Sequence, residues 1–442
     1  MDKKVKVYTI SLGCVKNLVD TETMLGLLQN NGFLIVSDQT IADVIIINTC
    51  AFINPAKKES IRTIFEFIGS GKKLIVCGCL VQRYINELRE EIPQIDGFVG
   101  TGSYHNIINV VKKVLKGDRV IEINNYKYNK YSNNSNRLLT IPAPYSYLKI
   151  AEGCNHKCSF CIIPKLRGKY KSKLPNDIVN EANFLIQSGI KEINLIAQDI
   201  TQYGYDLKSD NIRLFNLLNN LLERTHGDVF FRLLYAYPSG IEKNLLELMR
   251  DTSRLHSYLD IPLQHSHPYI LRRMKRPFNE EKTLRLLDFI RENVPDIVLR
   301  STFIVGFPGE TEEHFSHLVN FIKTQKFDHV GVFIYSDEEG TLAFNLDNKV
   351  KYKEKQLRKK ILLQTQQEIL KEKNKKLIGK VLPMIIEGSI PEKNRIWGRT
   401  YRDAPEVDGL SYSKGNFLPG DIVNFKIRKI KIYDTYGEII KK

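Results

Sequence analysis

Short apolar runs alternate with longer stretches of helical period along most of the chain. Over 1–120, strands are expected at 5–11, 44–48, 74–77 and 97–100, and helices at 17–30, 55–68, 81–91 and 104–115. That alternation predicts an amino-terminal parallel α/β domain with helices outside the sheet. Residues 121–140, rich in Asn, Tyr and Lys and without a period, read as a linker. The alternation resumes over 141–348, with strands at 147–151, 192–197, 229–235, 258–261, 298–305 and 329–335. Six βα units predict an open, partial (β/α)6 barrel, whose active site belongs at the carboxyl ends of the strands. Residues 349–376 read as a basic connecting helix with Leu357, Ile361, Leu362, Ile369 and Leu370 as its apolar positions. It is expected to pack across the barrel with its basic face in water. Over 377–442 the period becomes that of short strands, as at 381–386 and 422–427, broken by Gly388, Gly409, Gly415 and Pro419-Gly420. A small all-β barrel is expected there.

Composition narrows the class. The chain of 442 residues has no apolar run of about 18 residues, so no membrane-spanning helix is expected. Its amino terminus, Met-Asp-Lys-Lys, is unlike a signal peptide. Seven cysteines favour a reducing cytoplasm and metal ligation over disulfides. The net charge is +16, and half of that excess lies in the helix over 349–376. The charge alone therefore weighs a nucleic-acid or ribosomal partner evenly against a solvated basic helix.

The sharpest chemistry is Cys154-Asn-His-Lys-Cys158-Ser-Phe-Cys161, directly after the first barrel strand. Three thiolates in one loop suit a four-iron–four-sulfur cluster with one iron left open. S-adenosylmethionine (SAM) can chelate that iron, and a low-potential electron can then cleave its sulfonium to give a carbon radical. A zinc knuckle completed by His156 is the competing reading, although structural zinc usually draws two separated ligand pairs. In the first domain Cys14, Cys50 and Cys79 each follow the end of a predicted parallel strand, and such ends line one crevice. They are expected to hold a second cluster. The competing reading is three small buried residues. Cys77, inside its strand, reads as core sooner than as ligand, the alternative being that it stands in for Cys79. Gly13-Cys-Val-Lys16 lacks the spacing of a phosphate loop, which excludes an ATP site there.

Other strand ends supply further candidates. Gln198 and Asp199 end the second barrel strand, and Gly306-Phe-Pro-Gly309-Glu310 ends the fifth. Gln198, Gly306, Gly309 and Glu310 are candidate SAM contacts, with ordinary turn chemistry as the alternative. Asp260, Gln264 and His265 end the fourth strand as candidate substrate contacts, His265 serving equally well as a structural histidine.

Three strings resemble the radical SAM methylthiotransferases, and the resemblance spans essentially the whole chain. They are Ser11-Leu-Gly-Cys-Val-Lys-Asn-Leu-Val-Asp20, Gly78-Cys-Leu-Val-Gln-Arg-Tyr84, and Cys158-Ser-Phe-Cys-Ile-Ile-Pro164 with Arg167-Gly168. The resemblance implies a three-cysteine amino domain, a radical SAM barrel, a TRAM β-barrel, two 4Fe-4S clusters and SAM. Leu259-Asp-Ile-Pro-Leu-Gln-His265 and Asp403-Ala-Pro-Glu-Val-Asp-Gly409 resemble the branch acting on the twelfth small-subunit ribosomal protein. tRNA-directed relatives read Leu-Pro-x-Gln-Ser-Gly-Ser at the first of these places. Ser266-His267-Pro268 departs from the pattern, which leaves His267 without an assigned role. The implied reaction adds a methylthio group to the β-carbon of an aspartate, a saturated carbon that acid–base chemistry does not reach. Implied partners are that ribosomal protein or the assembling small subunit, and an electron donor such as flavodoxin or ferredoxin, with no membrane. A tRNA adenosine methylthiotransferase with the same two clusters is the alternative, and an RNA-binding factor stiffened by its clusters is a third reading.

Overall fold

The computed structural model describes residues 4–124, 137–208, 212–277 and 279–440. The amino-terminal region builds a sheet from β1 (Lys6–Ser11), β2 (Leu34–Ile35), β3 (Val44–Thr49), β4 (Lys73–Gly78), β5 (Gly97–Val99) and β6 (Val120–Glu122). The order is β2-β1-β3-β4-β5-β6 and every pairing is parallel. Helices α1 (Val15–Asn30), α2 (Asn54–Phe67), α3 (Cys79–Glu91) and α4 (Ile107–Leu115) cover it. Period-2 alternation sorts the strands onto two cores. Ile45, Ile47, Leu74 and Val76 face one, while Val44, Ile46, Ile75 and Cys77 face the other. Cys77 is thus core. The short edge strands β2 and β6 were not expected, and β6 occupies the start of the expected linker. Most of that linker, 125–136, lies outside the described residues. Its far end is fixed: buried Arg137 donates to the Tyr147 carbonyl and the Ser146 hydroxyl, each at 2.7 Å.

The central sheet uses β7 (Tyr145–Lys149), β10 (Glu192–Ile196), β11 (Phe230–Leu233), β12 (Leu255–Asp260), β13 (Val298–Val305) and β14 (His329–Ile334). A short antiparallel pair, β8 (Ala151–Glu152) and β9 (Lys171–Ser172), stands beside it. The order β14-β13-β12-β11-β10-β7 is parallel and open, a partial barrel as expected. Helices α6 (Pro175–Gln187), α7 (Leu214–Arg224), α8 (Lys243–Asp251), α10 (Glu280–Asn293) and α11 (Glu312–Gln325) cover its convex side, and α5 (Ile163–Arg167) and α9 (Pro268–Arg273) are short helices in its loops. Leu148, Leu195, Phe231, Leu233 and Leu259 pack toward the helices. Tyr147, Ile196, Tyr258 and Val298 face the other way, where they meet Val19 of α1 and Ala404 of the carboxyl-terminal region. All three regions therefore share one apolar cluster.

Helix α12 (Tyr352–Lys375) packs beside β14 and α11, but not on the face its apolar residues advertise. Leu357 is 57% exposed, while Lys355 and Arg358 are buried with Leu362 and Ile369. The barrel offers those two cations acceptors: the Tyr335 carbonyl takes Lys355 at 3.1 Å, and Glu310 takes Arg358 at 2.6 Å. Strands β15 (Val381–Ile390), β16 (Arg395–Thr400), β17 (Ser411–Lys414), β18 (Ile422–Lys431) and β19 (Asp434–Ile440) close into a barrel in the order β15-β16-β17-β19-β18. It is tied to the central sheet by buried charge: Arg232 on β11 and Arg399 on β16 both bind Glu192 on β10. The loop after β16 adds Asp408, whose carboxylate meets Arg300 at 2.7 Å and the Tyr258 hydroxyl at 2.6 Å.

Candidate active site between two cysteine trios

Cys14, Cys50 and Cys79 follow β1, β3 and β4, which are neighbours in the sheet. The first turn of α1 stitches their loops together. The Asn17 amide donates to the Leu12 carbonyl at 2.9 Å and to the Thr49 carbonyl at 3.0 Å. Gly13 has φ +90°, and a Cβ there would stand 2.9 Å from the Cys50 sulfur. Only glycine admits both that conformation and that approach. Cys14 is exposed, whereas Cys50 and Cys79 are buried. Burial, with Cys79 and Cys14 close by, pushes the Cys50 thiol up to about 12.

Cys154, Cys158 and Cys161 share one loop. The Cys154 amide donates to the Gly168 carbonyl at 3.1 Å, and the Cys161 amide to the Cys158 carbonyl at 3.2 Å. Gly153, at φ +77°, lets the chain pass Lys169, whose carbonyl would lie 2.3 Å from a Cβ. Burial pushes the Cys154 thiol up to about 11 and the Cys161 thiol to about 12. Buried thiols of this kind become thiolates when a metal replaces the proton. Arg276 approaches the Cys158 sulfur at 3.8 Å and stacks over Tyr237. The ring of His156 stacks on Tyr237 and meets Asp199 at 2.6 Å. His156 is therefore engaged away from the thiols, and among the described residues no three His, Cys, Asp or Glu side chains converge on one metal ion. The His156 ring, held by Asp199 and Tyr237, is not turned to the thiols as a fourth zinc ligand. Three thiols in one loop are the kind of donor set that a four-iron cluster with one open iron takes.

Between the trios lies a buried ionic group that sequence reasoning missed. Arg167, 1% exposed and six residues beyond Cys161, donates to Asp20 at 3.1 Å and to Glu152 at 2.9 Å, and it touches the Cys79 sulfur at 3.8 Å. Lys149 completes the group by binding Asp20 and, at 2.7 Å, Glu152. Two cations and two anions sum to zero, as burial of charge demands. Burial alone raises the Glu152 carboxyl, but Arg167 and Lys149 outweigh it and hold it well below the usual carboxylate range. The signal was present as charged residues at 149 and 152 within an otherwise apolar strand run.

The remaining candidates divide. Gln198 donates to Glu152 at 2.8 Å, so it joins the ionic group. Gly306 and Gly309 lie in the turn after β13, and the Gly306 amide donates to Glu310 at 2.9 Å. His265 and Glu310 stand 3.4 Å apart with neither side chain exposed. Both side chains are covered by the fold, and Glu310 also accepts from the Gly306 amide and from Arg358. Gln264 sits at φ +74°, an uncommon conformation that marks strain at a strand end. Asp260 accepts from the Tyr235 amide at 3.1 Å and lies 3.7 Å from Arg300. Burial raises its carboxyl, and Arg300 opposes that.

An open parallel barrel with a three-cysteine loop after its first strand defines a radical SAM protein. The Radical SAM superfamily model matches residues 148–322, the model of the uncharacterized protein family UPF0004 matches 6–100, and the TRAM domain matches 378–440. Ribosomal protein uS12 methylthiotransferase RimO of Thermosynechococcus vestitus is 44% identical over 438 residues, which cover 99% of this chain and 97% of that protein. The same-named protein of Microcystis aeruginosa is 43% identical over 443 residues, all of both chains. That of Synechococcus sp. (strain JA-2-3B'a(2-13)) is 42% identical, covering 99% and 92%. The chain belongs to the RimO family of radical SAM methylthiotransferases, and 4Fe-4S clusters and SAM are the cofactors of that family. Among solved structures, the radical SAM methyltransferase TsrM of Kitasatospora setae, with cobalamin and a [4Fe-4S] cluster bound, has a TM-score of 0.55 at 15% identity, over 76% of this chain and 72% of that one. The cobalamin-dependent radical enzyme OxsB has a TM-score of 0.51 at 13% identity, over 84% and 56%. These two likenesses concern the fold alone.

Proposed function

We propose that this chain methylthiolates ribosomal protein uS12 at the β-carbon of an aspartate. Full-length likeness to the uS12 enzymes supports this reading, and the tRNA alternative is not favoured. The observation that carries it is the pair of cysteine trios at the carboxyl ends of two parallel sheets, joined through Arg167.

Cys14, Cys50 and Cys79 would hold one cluster, and Cys154, Cys158 and Cys161 the other, with an iron left for SAM. Clusters held by three thiolates supply low-potential electrons and, with SAM, carbon-radical chemistry. The protein's own part is positioning. Asn17 holds the loops of Cys14 and Cys50 in register. Arg167 fastens the helix after Cys161 to α1 and touches Cys79, which ties the two trios to one interdomain boundary. His156 and Arg276, packed on Tyr237, screen the central loop from water. Gly306 and Gly309, both at positive φ, shape the turn after β13 on the SAM side, with Gln198 and Glu310 bracing the wall behind and Asp260 and Gln264 at the end of the fourth strand toward the substrate. An external one-electron donor of flavodoxin or ferredoxin type and a cytoplasmic setting complete the reading. Among the described residues no helix is long and apolar enough to cross a membrane.

Purified uS12 incubated anaerobically with reconstituted protein, SAM, sulfide and reductant should gain one methylthio group in place of one hydrogen, read by mass spectrometry on an aspartate. Modification of tRNA adenosine with uS12 untouched would overturn the proposal.

A further inference from the structure

Four lysines are buried among the described residues: Lys16, Lys149, Lys173 and Lys355. Three have oxygen partners. Lys149 binds Asp20 and Glu152, Lys173 binds Glu181, and Lys355 donates to the Tyr335 carbonyl. Lys16 has none. Its ammonium lies 3.1 Å from the centre of the Tyr235 ring, and no hydrogen bond or ion pair reaches it. The side chain is largely buried, but its nitrogen is not sealed off, so an anionic guest can still reach it.

The surroundings indicate where that ligand enters. Lys16 sits on the first turn of α1, two residues after exposed Cys14. It reaches across to the barrel, where Tyr235 follows β11 and Asp260 ends β12. These are the carboxyl ends of the strands, the face on which such barrels carry their chemistry. Tyr235 has φ +67°, in the left-handed region that an aromatic residue rarely adopts, and this conformation puts its ring under the ammonium. Asp260 does not neutralise Lys16, because its carboxylate turns to the Tyr235 amide and Arg300. The cation is held in place beside an open thiol, with no carboxylate bonded to it.

We propose that Lys16 is the carboxylate anchor of the substrate site: an acidic side chain entering between the amino-terminal sheet and the barrel mouth pairs with its ammonium. The inference rests on the uS12 reading and deepens it, because it explains how an aspartate is chosen over its neutral isostere. Asparagine has the same shape but carries no charge to pair with the ammonium, so it gains less there and is disfavoured. The grip also fixes the β-carbon, one bond from the held carboxyl group, beside the Cys14 loop.

The test uses the full-length, cluster-reconstituted protein and two labelled peptides spanning the target loop of uS12, one with the native aspartate and one with asparagine. Binding is read anaerobically by fluorescence anisotropy. The wild-type protein should prefer the aspartate peptide by about tenfold or more, whereas Lys16→Met should bind both peptides alike, at the wild type's asparagine level. Lys16→Arg, which keeps the charge, should recover a measurable part of the preference, and Lys16→Gln carries the same test should the Met variant not fold. A Lys16→Met or Lys16→Gln protein that keeps the full preference overturns the anchor alone. Wild-type protein that neither binds nor modifies uS12 overturns the uS12 reading, and the anchor with it.

Discussion

The central trio comes from one unbroken stretch, 154–161, whereas the amino-terminal trio is assembled from loops at 14, 50 and 79 that only the finished sheet brings together. The central loop is shaped by local bonds, such as the Cys161 amide to the Cys158 carbonyl. The other depends on register between β1, β3 and β4 and on Asn17 spanning two of their loops. One trio's ligands thus come from a single segment, braced from outside by Met274 and Ala343, and the other's from a whole domain. They should respond differently to damage at a distance.

The largest effect should come from the thiols. Cys158→Ala and Cys50→Ala are each expected to lower iron from about eight to about four per chain and to abolish methylthio product. The cluster signals remaining by electron paramagnetic resonance should be complementary, and identical residual signals would break the two-site comparison. Next comes Arg167→Ala, which leaves Asp20 and Glu152 to share Lys149 alone, one buried negative charge uncompensated, and should cost about 3–5 kcal/mol of stability. Arg276→Ala, beside the other trio, should cost clearly less, because its guanidinium mostly stacks on Tyr237. Thermal unfolding of the two variants decides between them.

The glycines sharpen the contrast. Gly13→Ala and Gly153→Ala should each cost about 1–3 kcal/mol through backbone strain. Gly13→Ala presses on Cys50 itself, so it should also lose iron from the amino-terminal trio; Gly153→Ala presses on the Lys169 carbonyl. Iron per folded chain separates them. The smallest effect is with pH. Glu152 is held ionised below its ordinary range, so its stabilisation is complete above that range and fades as acid protonates it. The unfolding midpoint should drop on acidification through the carboxylate range, with a shallower slope in Arg167→Ala. Equal slopes would remove Glu152 from the account.

The same contrast explains what could be read from the sequence. Continuous runs such as Ile45–Ile47 announce central parallel strands, and residues directly after them lie at strand ends whatever the tertiary detail. The six cysteine positions were therefore legible. Partnerships were not. Arg167 looks like any surface arginine until α1 supplies Asp20 across the domain boundary. Leu357 looks like core until the barrel offers oxygen acceptors to Lys355 and Arg358, turning the helix so that the leucine faces water. The same holds for His265 and Glu310, which cover one another inside the fold. Charged pairs far apart in sequence leave no period behind.

The Asp408 loop carries a consequence for how the chain can be cut. Its carboxylate is the counter-ion of Arg300 and an acceptor for Tyr258, both on barrel strands. Shortening the protein at the end of α12 would not simply shed an accessory module. It would pull a stopper from the middle of the catalytic unit and leave a guanidinium facing an emptied hollow, so the three regions are better regarded as one indivisible machine than as beads on a string.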